Sequence, residues 1–123
     1  GERKEAERSY LSALELTREV GDFKGAGQDF TYLGNLKFKD YLFEEAENYF
    51  AQASESFEKT SSWTSLTQVY LTVARMEILV SRYDQADEYI SKARKVAKDL
   101  GDPEPIMKAI QEIEKLKDSV DKK

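Results

Sequence analysis

Small and large apolar residues recur along this chain with two superimposed rhythms. The shorter rhythm is helical: from Ala86 the apolar positions run Tyr89, Ile90, Ala93, Val96, Ala97 and Leu100, the steps of three and four that mark one face of an α-helix. The longer rhythm is a repeat of 40 residues, given by Ala6, Ala46 and Ala86 and again by Ala13, Ala53 and Ala93, with Tyr10, Phe50 and Ile90 in register between them. Alanine on such a face lets a neighbouring backbone come close, and the large residue between fills the seam.

The intervening stretches carry a second series with the same period. Phe30 and Tyr70, Leu33 and Val73, and Gly34 and Ala74 are each 40 apart. A glycine inside a helix costs about 1 kcal/mol relative to alanine. A backbone break at Gly34 is one explanation, but Ala74 in register favours close packing against the helix that bears Ala46. Gly21-Asp22 and Gly101-Asp102 each offer a glycine for a left-handed helix end and an aspartate to cap the next helix. Ser61-Ser62 takes that place in the middle, and Pro103 suits a first helical turn. The pattern predicts six helices, at about 2–20, 23–40, 43–60, 63–81, 84–100 and 104–120.

The pairs Leu33-Gly34 and Val73-Ala74, each followed by alanine, large residue, alanine (Ala46, Phe50, Ala53; Ala86, Ile90, Ala93), resemble the tetratricopeptide repeat. That family's usual period is about 34 residues. The longer period, the Gly-Asp junctions and Leu33-Gly34-Asn35 are similar to its extended subclass, named for a Leu-Gly-Asn signature. The resemblance implies an all-α fold, a right-handed superhelical stack of antiparallel α-hairpins. It divides the chain as residues 1–22, the second helix of a truncated repeat; 23–62 and 63–102, two repeats; and 103–123, a C-terminal capping helix. Two departures are Lys37 and Glu77, where the family often has an aromatic; another is the lack of a helix-ending proline after the second helix of a repeat.

Residues 1–22 have the character of a second helix without its first-helix partner, so the expectation is a segment cut from a longer array, with Gly1 a remnant of the cut. The last helix has an apolar stripe of Ile106, Ala109, Ile110, Ile113, Leu116 and Val120, and Glu114 where Gly34 and Ala74 stand. A charge there suits a cap with a polar outer face, and Lys115, Lys117, Lys122 and Lys123 suit the helix dipole.

Composition narrows the function classes. A chain of 123 residues with 35% charged and 40% apolar residues fits one soluble helical domain. A net charge of −5 argues against nucleic acid as the main partner. With no cysteine there is no disulfide framework, and no apolar run approaches a membrane span; a cytoplasmic location without membrane contact is the default. The absence of histidine and cysteine excludes Ser-His and Cys-His nucleophiles and the usual zinc ligand sets. Ser56-x-x-Lys59 lies mid-helix without companion motifs, so it is a coincidence. Gly21, Gly25 and Gly27 follow no strand and precede no Gly-Lys-Ser/Thr, so they are no phosphate loop. Glu44, Glu45 and Glu47 favour a helix N-terminus, and Lys92, Arg94, Lys95 and Lys98 form a solvated face. Neither an enzyme nor a cofactor or metal is expected.

The expected function is a protein-protein interaction scaffold. The resemblance implies that first helices line a concave groove, and the outward positions there are Gln28, Thr31, Tyr32, Asn35 and Phe38 on one helix and Gln68, Leu71, Thr72, Arg75 and Leu79 on the other. Amides there would bond an extended peptide backbone, and Tyr32, Phe38, Leu71 and Leu79 would meet its apolar side chains. Packing between repeats is the competing role for Phe38, Leu71 and Leu79. The family's terminal-carboxylate clamp is matched only by Asn35 and Arg75. The alternative function is a structural, self-assembling segment of a longer array, dimerising through the uncovered N-terminal end.

Overall fold

A computed structural model describes residues 2–121, all but the turns lying in six helices: α1 (Glu2–Glu19), α2 (Phe23–Lys39), α3 (Phe43–Lys59), α4 (Trp63–Leu79), α5 (Tyr83–Lys98) and α6 (Glu104–Asp121). Each expected helix is present, with its ends shifted by at most two residues. The expectations for Gly1, Lys122 and Lys123 lie outside the described residues. The helices form two compact units, Gly1–Ser62 with α1 to α3 and Trp63–Lys123 with α4 to α6.

In the first unit α2 packs on both α1 and α3. Its core is Leu14, Ala26, Phe30, Leu33, Ala46, Phe50, Ala53 and Phe57. The glycines of α2 explain how close the helices come. A Cβ at Gly34 would stand 2.7 Å from the Phe50 ring, and one at Gly27 would stand 2.7 Å from the Phe57 ring. The expected close packing of Gly34 against the helix that bears Ala46 is therefore real, and the side chain nearest to it is Phe50. Gly27 serves the same end one contact further along.

In the second unit α4 packs on α5, and α6 lies against both. Leu66, Val69, Val73, Met76 and Ile78 of α4 meet a core that includes Ala86, Ile90 and Ala93 of α5 and Ile106, Ile110 and Ile113 of α6. Glu114 of α6 is half-buried and accepts from Arg94 at 2.7 Å. Lys117 reaches Asp87 at 2.9 Å. The basic stretch of α5 is thus partly engaged: Arg94 pairs with α6, and the Lys92 ammonium sits 4.9 Å from the Tyr89 ring centre.

The hairpin turns share one construction. Residues 21, 41, 61 and 81 all have positive φ, at 72°, 62°, 53° and 63°. The next residue donates its N–H to a carbonyl five positions back in every case: Asp22 to Thr17, Leu42 to Lys37, Ser62 to Phe57 and Arg82 to Glu77, at 2.8 to 2.9 Å. This six-to-one bond with a left-handed residue is the Schellman closure, which satisfies carbonyls the helix end leaves orphaned. Glycine was the expected signal, yet only Gly21 among the four is glycine; Tyr41, Ser61 and Ser81 adopt the same backbone. Gly101 does not: α5 ends at Lys98 with Asp99 as its cap. Asp22 caps α2 as expected, accepting from the Gly25 N–H at 2.9 Å. At α6 the Met107 N–H bonds to the Pro103 carbonyl at 2.9 Å, so Pro103, not Asp102, holds the N-cap position.

Candidate protein-binding surface

The five α2 candidates follow steps of three and four and share one side of the helix. Gln28 is exposed, and Tyr32 is 50% exposed. The Tyr32 ring is stacked on Tyr10 of α1, with centres 4.9 Å apart and planes 22° off parallel. Stacking holds a half-exposed aromatic in one orientation, which lowers the entropy lost when a partner covers it. Asn35 is half-buried beside it. Thr31 donates its hydroxyl to the Gly27 carbonyl at 2.8 Å, so its donor is engaged by its own helix. Phe38 is half-buried and meets Phe43 edge-on at 5.9 Å; this contact lies within one repeat and is not the packing between repeats weighed for it.

On α4, Gln68 and Arg75 are exposed and Leu79 is 59% exposed. Thr72 donates to the Gln68 carbonyl at 2.9 Å. Leu71 is 4% exposed and belongs to the core, so it is buried by packing and is not on the outward face where it was also placed. A leucine flanked by Tyr70 and Thr72 shares enough of the buried arc to turn inward on a helix that is covered over most of its circumference. The α4 surface is therefore Gln68, Thr72, Arg75 and Leu79.

Charge around the α2 surface is organised by two groups. Lys37, one of the departures from the repeat pattern, lies between α1 and α3 with its ammonium 3.1 Å from Glu7 and 3.2 Å from Glu45. Its bond to Glu7, helped by Glu45, raises its pKa against the opposing effect of burial. Asp29 has its pKa raised by burial and then by the neighbouring Asp22 carboxylate, while a hydrogen bond from Thr17 acts in the other direction. The second departure, Glu77, is fully buried with Arg82 3.8 Å away.

Sequence reasoning missed two contributors. Tyr10 appeared only as a seam-filling residue, and nothing in its spacing signals the stack with Tyr32. The other is a set of apolar side chains at the turns. Tyr41 is 80% exposed, and Leu42, Phe23 and Trp63 are also exposed. An aromatic at residues 23, 43, 63 and 83, each opening a helix, was a legible signal for Phe23 and Trp63; Tyr41 and Leu42 stand outside that series. Among the described residues no group of three acidic, histidine or cysteine side chains is placed to hold a metal, and no helix is long and apolar enough to cross a membrane.

The two faces are therefore amide, hydroxyl, aromatic and cationic. Comparison with known proteins supplies the lineage. No curated protein and no solved structure matches the chain. The family model for SNAP, soluble NSF attachment protein, matches residues 1–102. Its span takes in α1 through α5, and a helical-repeat, protein-interaction family agrees with the six-helix architecture. On that match, the chain belongs to the soluble NSF attachment protein family.

Proposed function

We propose that the chain is a non-enzymatic scaffold that binds peptide or protein segments, through the outward face of α2 in one unit and that of α4 in the other. The observation that carries this is Tyr32, half-exposed and held by its stack on Tyr10. Around it, Gln28 and Asn35 supply amides; on the α4 face Gln68 supplies another, Arg75 a cation and Leu79 an apolar contact. The family's name describes attachment to NSF, so NSF is the first partner to test. A cytoplasmic setting, without nucleic acid or membrane as partner, goes with this reading. So does the division into residues 1–22, 23–62, 63–102 and a cap at 103–123, and the 40-residue Leu-Gly-Asn-type period.

The test uses the immobilised chain and a Tyr32→Ala, Arg75→Glu variant, with purified NSF and with cell extract. Loss of at least tenfold in retained partner, with the helical circular-dichroism spectrum unchanged, supports the proposal. Equal retention by both proteins overturns it.

A second reading is a structural segment that assembles through its N-terminal end, favoured by the 64% exposure of Leu16 and 78% exposure of Val20 on α1. Homodimerisation there would appear as concentration-dependent mass in sedimentation, and a monomer at high concentration would count against it.

A further inference from the structure

The four Schellman turns can be compared within one chain. Their left-handed residue is small in three cases, Gly21, Ser61 and Ser81, and large only at Tyr41; all four are exposed. Exposure at residue 41 thus belongs to the turn itself and not to an end of the chain. A bulky side chain at φ 62° is strained, and Tyr41 also leaves 80% of its surface in water. Neither property stabilises the folded chain, and strain kept at one exposed position points to a use.

Of the seven tyrosines, Tyr41 alone stands outside a helix. Tyr32 comes next in exposure at 50%, and its ring is held against Tyr10. The backbone around Tyr41 is lightly tied. Its N–H bonds to the Phe38 carbonyl at 3.0 Å and the Leu42 N–H to the Lys37 carbonyl at 2.9 Å. Leu42 opens α3 without a side-chain cap bond, whereas Asp22 supplies one at α2. Opening this turn gives up few bonds and releases the left-handed backbone. The flanking charge is acidic, with Asp40 before Tyr41 and Glu44 and Glu45 three and four residues after it. Arg3 is bonded to Asp40 and Lys37 to Glu45, so the exposed Glu44 is the acid that a basic groove would meet.

We propose that Tyr41 is a phosphorylation site, taken by a protein tyrosine kinase that prefers acidic segments. Phosphoryl transfer needs the acceptor oxygen in line with the γ-phosphorus inside a cleft, which a side chain at an openable turn reaches and one in a packed helix does not. The phenolic oxygen of Tyr41 bonds to the γ-phosphorus of ATP, and the bond from that phosphorus to the β–γ bridging oxygen breaks. ADP leaves, and the phenolic proton passes to the kinase's carboxylate base. The product places a charge of about −2 on a tip that Tyr41 and the 43% exposed Leu42 make apolar.

The test incubates the intact chain with magnesium, ATP and a purified tyrosine-kinase catalytic domain that accepts poly(Glu,Tyr), and maps phosphate by peptide mass. Tyr41 should be modified at least tenfold faster than any other tyrosine. The sharpest comparison is Tyr89, which Asp87 and Glu88 directly precede; acidic sequence alone favours it, but it lies within α5. Tyr41→Phe, which keeps the ring and its edge contact with Phe43, should remove at least nine-tenths of the incorporated phosphate with the helical spectrum unchanged. Glu44→Lys should slow the reaction at least threefold. Chain isolated from its own cells after vanadate treatment should carry phosphate at Tyr41. Modification of Tyr89 as fast as Tyr41, indifference to Glu44→Lys, or an unmodified Tyr41 in those cells would each overturn the proposal.

Discussion

Gly34 and Lys37 stand three residues apart on α2, and both join helices, one by lacking a side chain and the other by having a long charged one. At Gly34 the competing terms can be weighed. Alanine would gain about 1 kcal/mol in helix propensity, but its Cβ would stand 2.7 Å from the Phe50 ring. Displacing a fully packed ring costs about 1–3 kcal/mol. Gly34→Ala should therefore lower stability by a net amount of about 1 kcal/mol in urea unfolding, opposite to the sign propensity alone gives. Lys37 has its pKa raised above the ordinary 10.5. A raised lysine pKa means that the folded state holds the proton more tightly. Its stabilisation is present below about pH 10.5 and fades as pH climbs through the folded value. Lys37→Met should cost about 0.5–1 kcal/mol at neutral pH, and the difference from the parent chain should shrink in alkaline denaturation series. Asp29 has the reverse sign. Its carboxyl pKa is raised above 3.8, so ionisation disfavours the folded state. Asp29→Asn should raise the melting temperature at pH 7, and the gain should disappear as pH falls towards 3.8 and the parent chain takes up its proton.

At the scale of the element, the helix ends decide the design. Four turns repeat the left-handed residue and the six-to-one bond at residues 21, 41, 61 and 81. A non-glycine residue in that region costs about 1 kcal/mol or more. Ser81→Gly should accordingly stabilise the chain by about 0.5–1 kcal/mol, measured as an upward shift in the urea midpoint. Tyr41 is a less clean site for the same change, because its ring also meets Phe43 edge-on at 6.2 Å. The helices themselves were legible, since each has a stripe with period 3.6. The turns were legible only where glycine stands. At Tyr41, Ser61 and Ser81 the left-handed backbone is imposed by the two helices it connects, and no side chain there advertises it. Gly101 shows the converse. A glycine next to an aspartate looked like the same device, but the chain there takes a different path into Pro103.

For the whole molecule, the deciding feature is the set of alanines repeated every 40 residues. Ala46 and Ala86 have no exposed surface, so a large side chain at either must push a neighbouring helix away. Ala46→Trp and Ala86→Trp should each lose about 3 kcal/mol or more, seen as early thermal melting of an otherwise all-helical spectrum. The contrast between the ends of the chain follows from the same alanines. Ala6 and Ala13 remain partly open on α1, while α6 turns Ile106, Ile110 and Ile113 inward. A scaffold whose binding rests on helix faces is consistent with a family whose name describes attachment to another protein.

The candidate surface was only partly readable in advance. Gln28, Tyr32, Gln68, Arg75 and Leu79 are where helical spacing put them. Leu71 is not, because periodicity fixes the angle of a residue on its helix but not how much of that helix its neighbours cover. Helix number, helix order and the alanine seams were determined by the sequence alone, since they depend on local backbone preference and on spacing along one chain. Which glycine lies over which ring, which tyrosine stacks on which, and which lysine links three helices were decided only by tertiary structure. Those contacts join residues far apart in the chain, and their geometry is set by packing rather than by any local pattern.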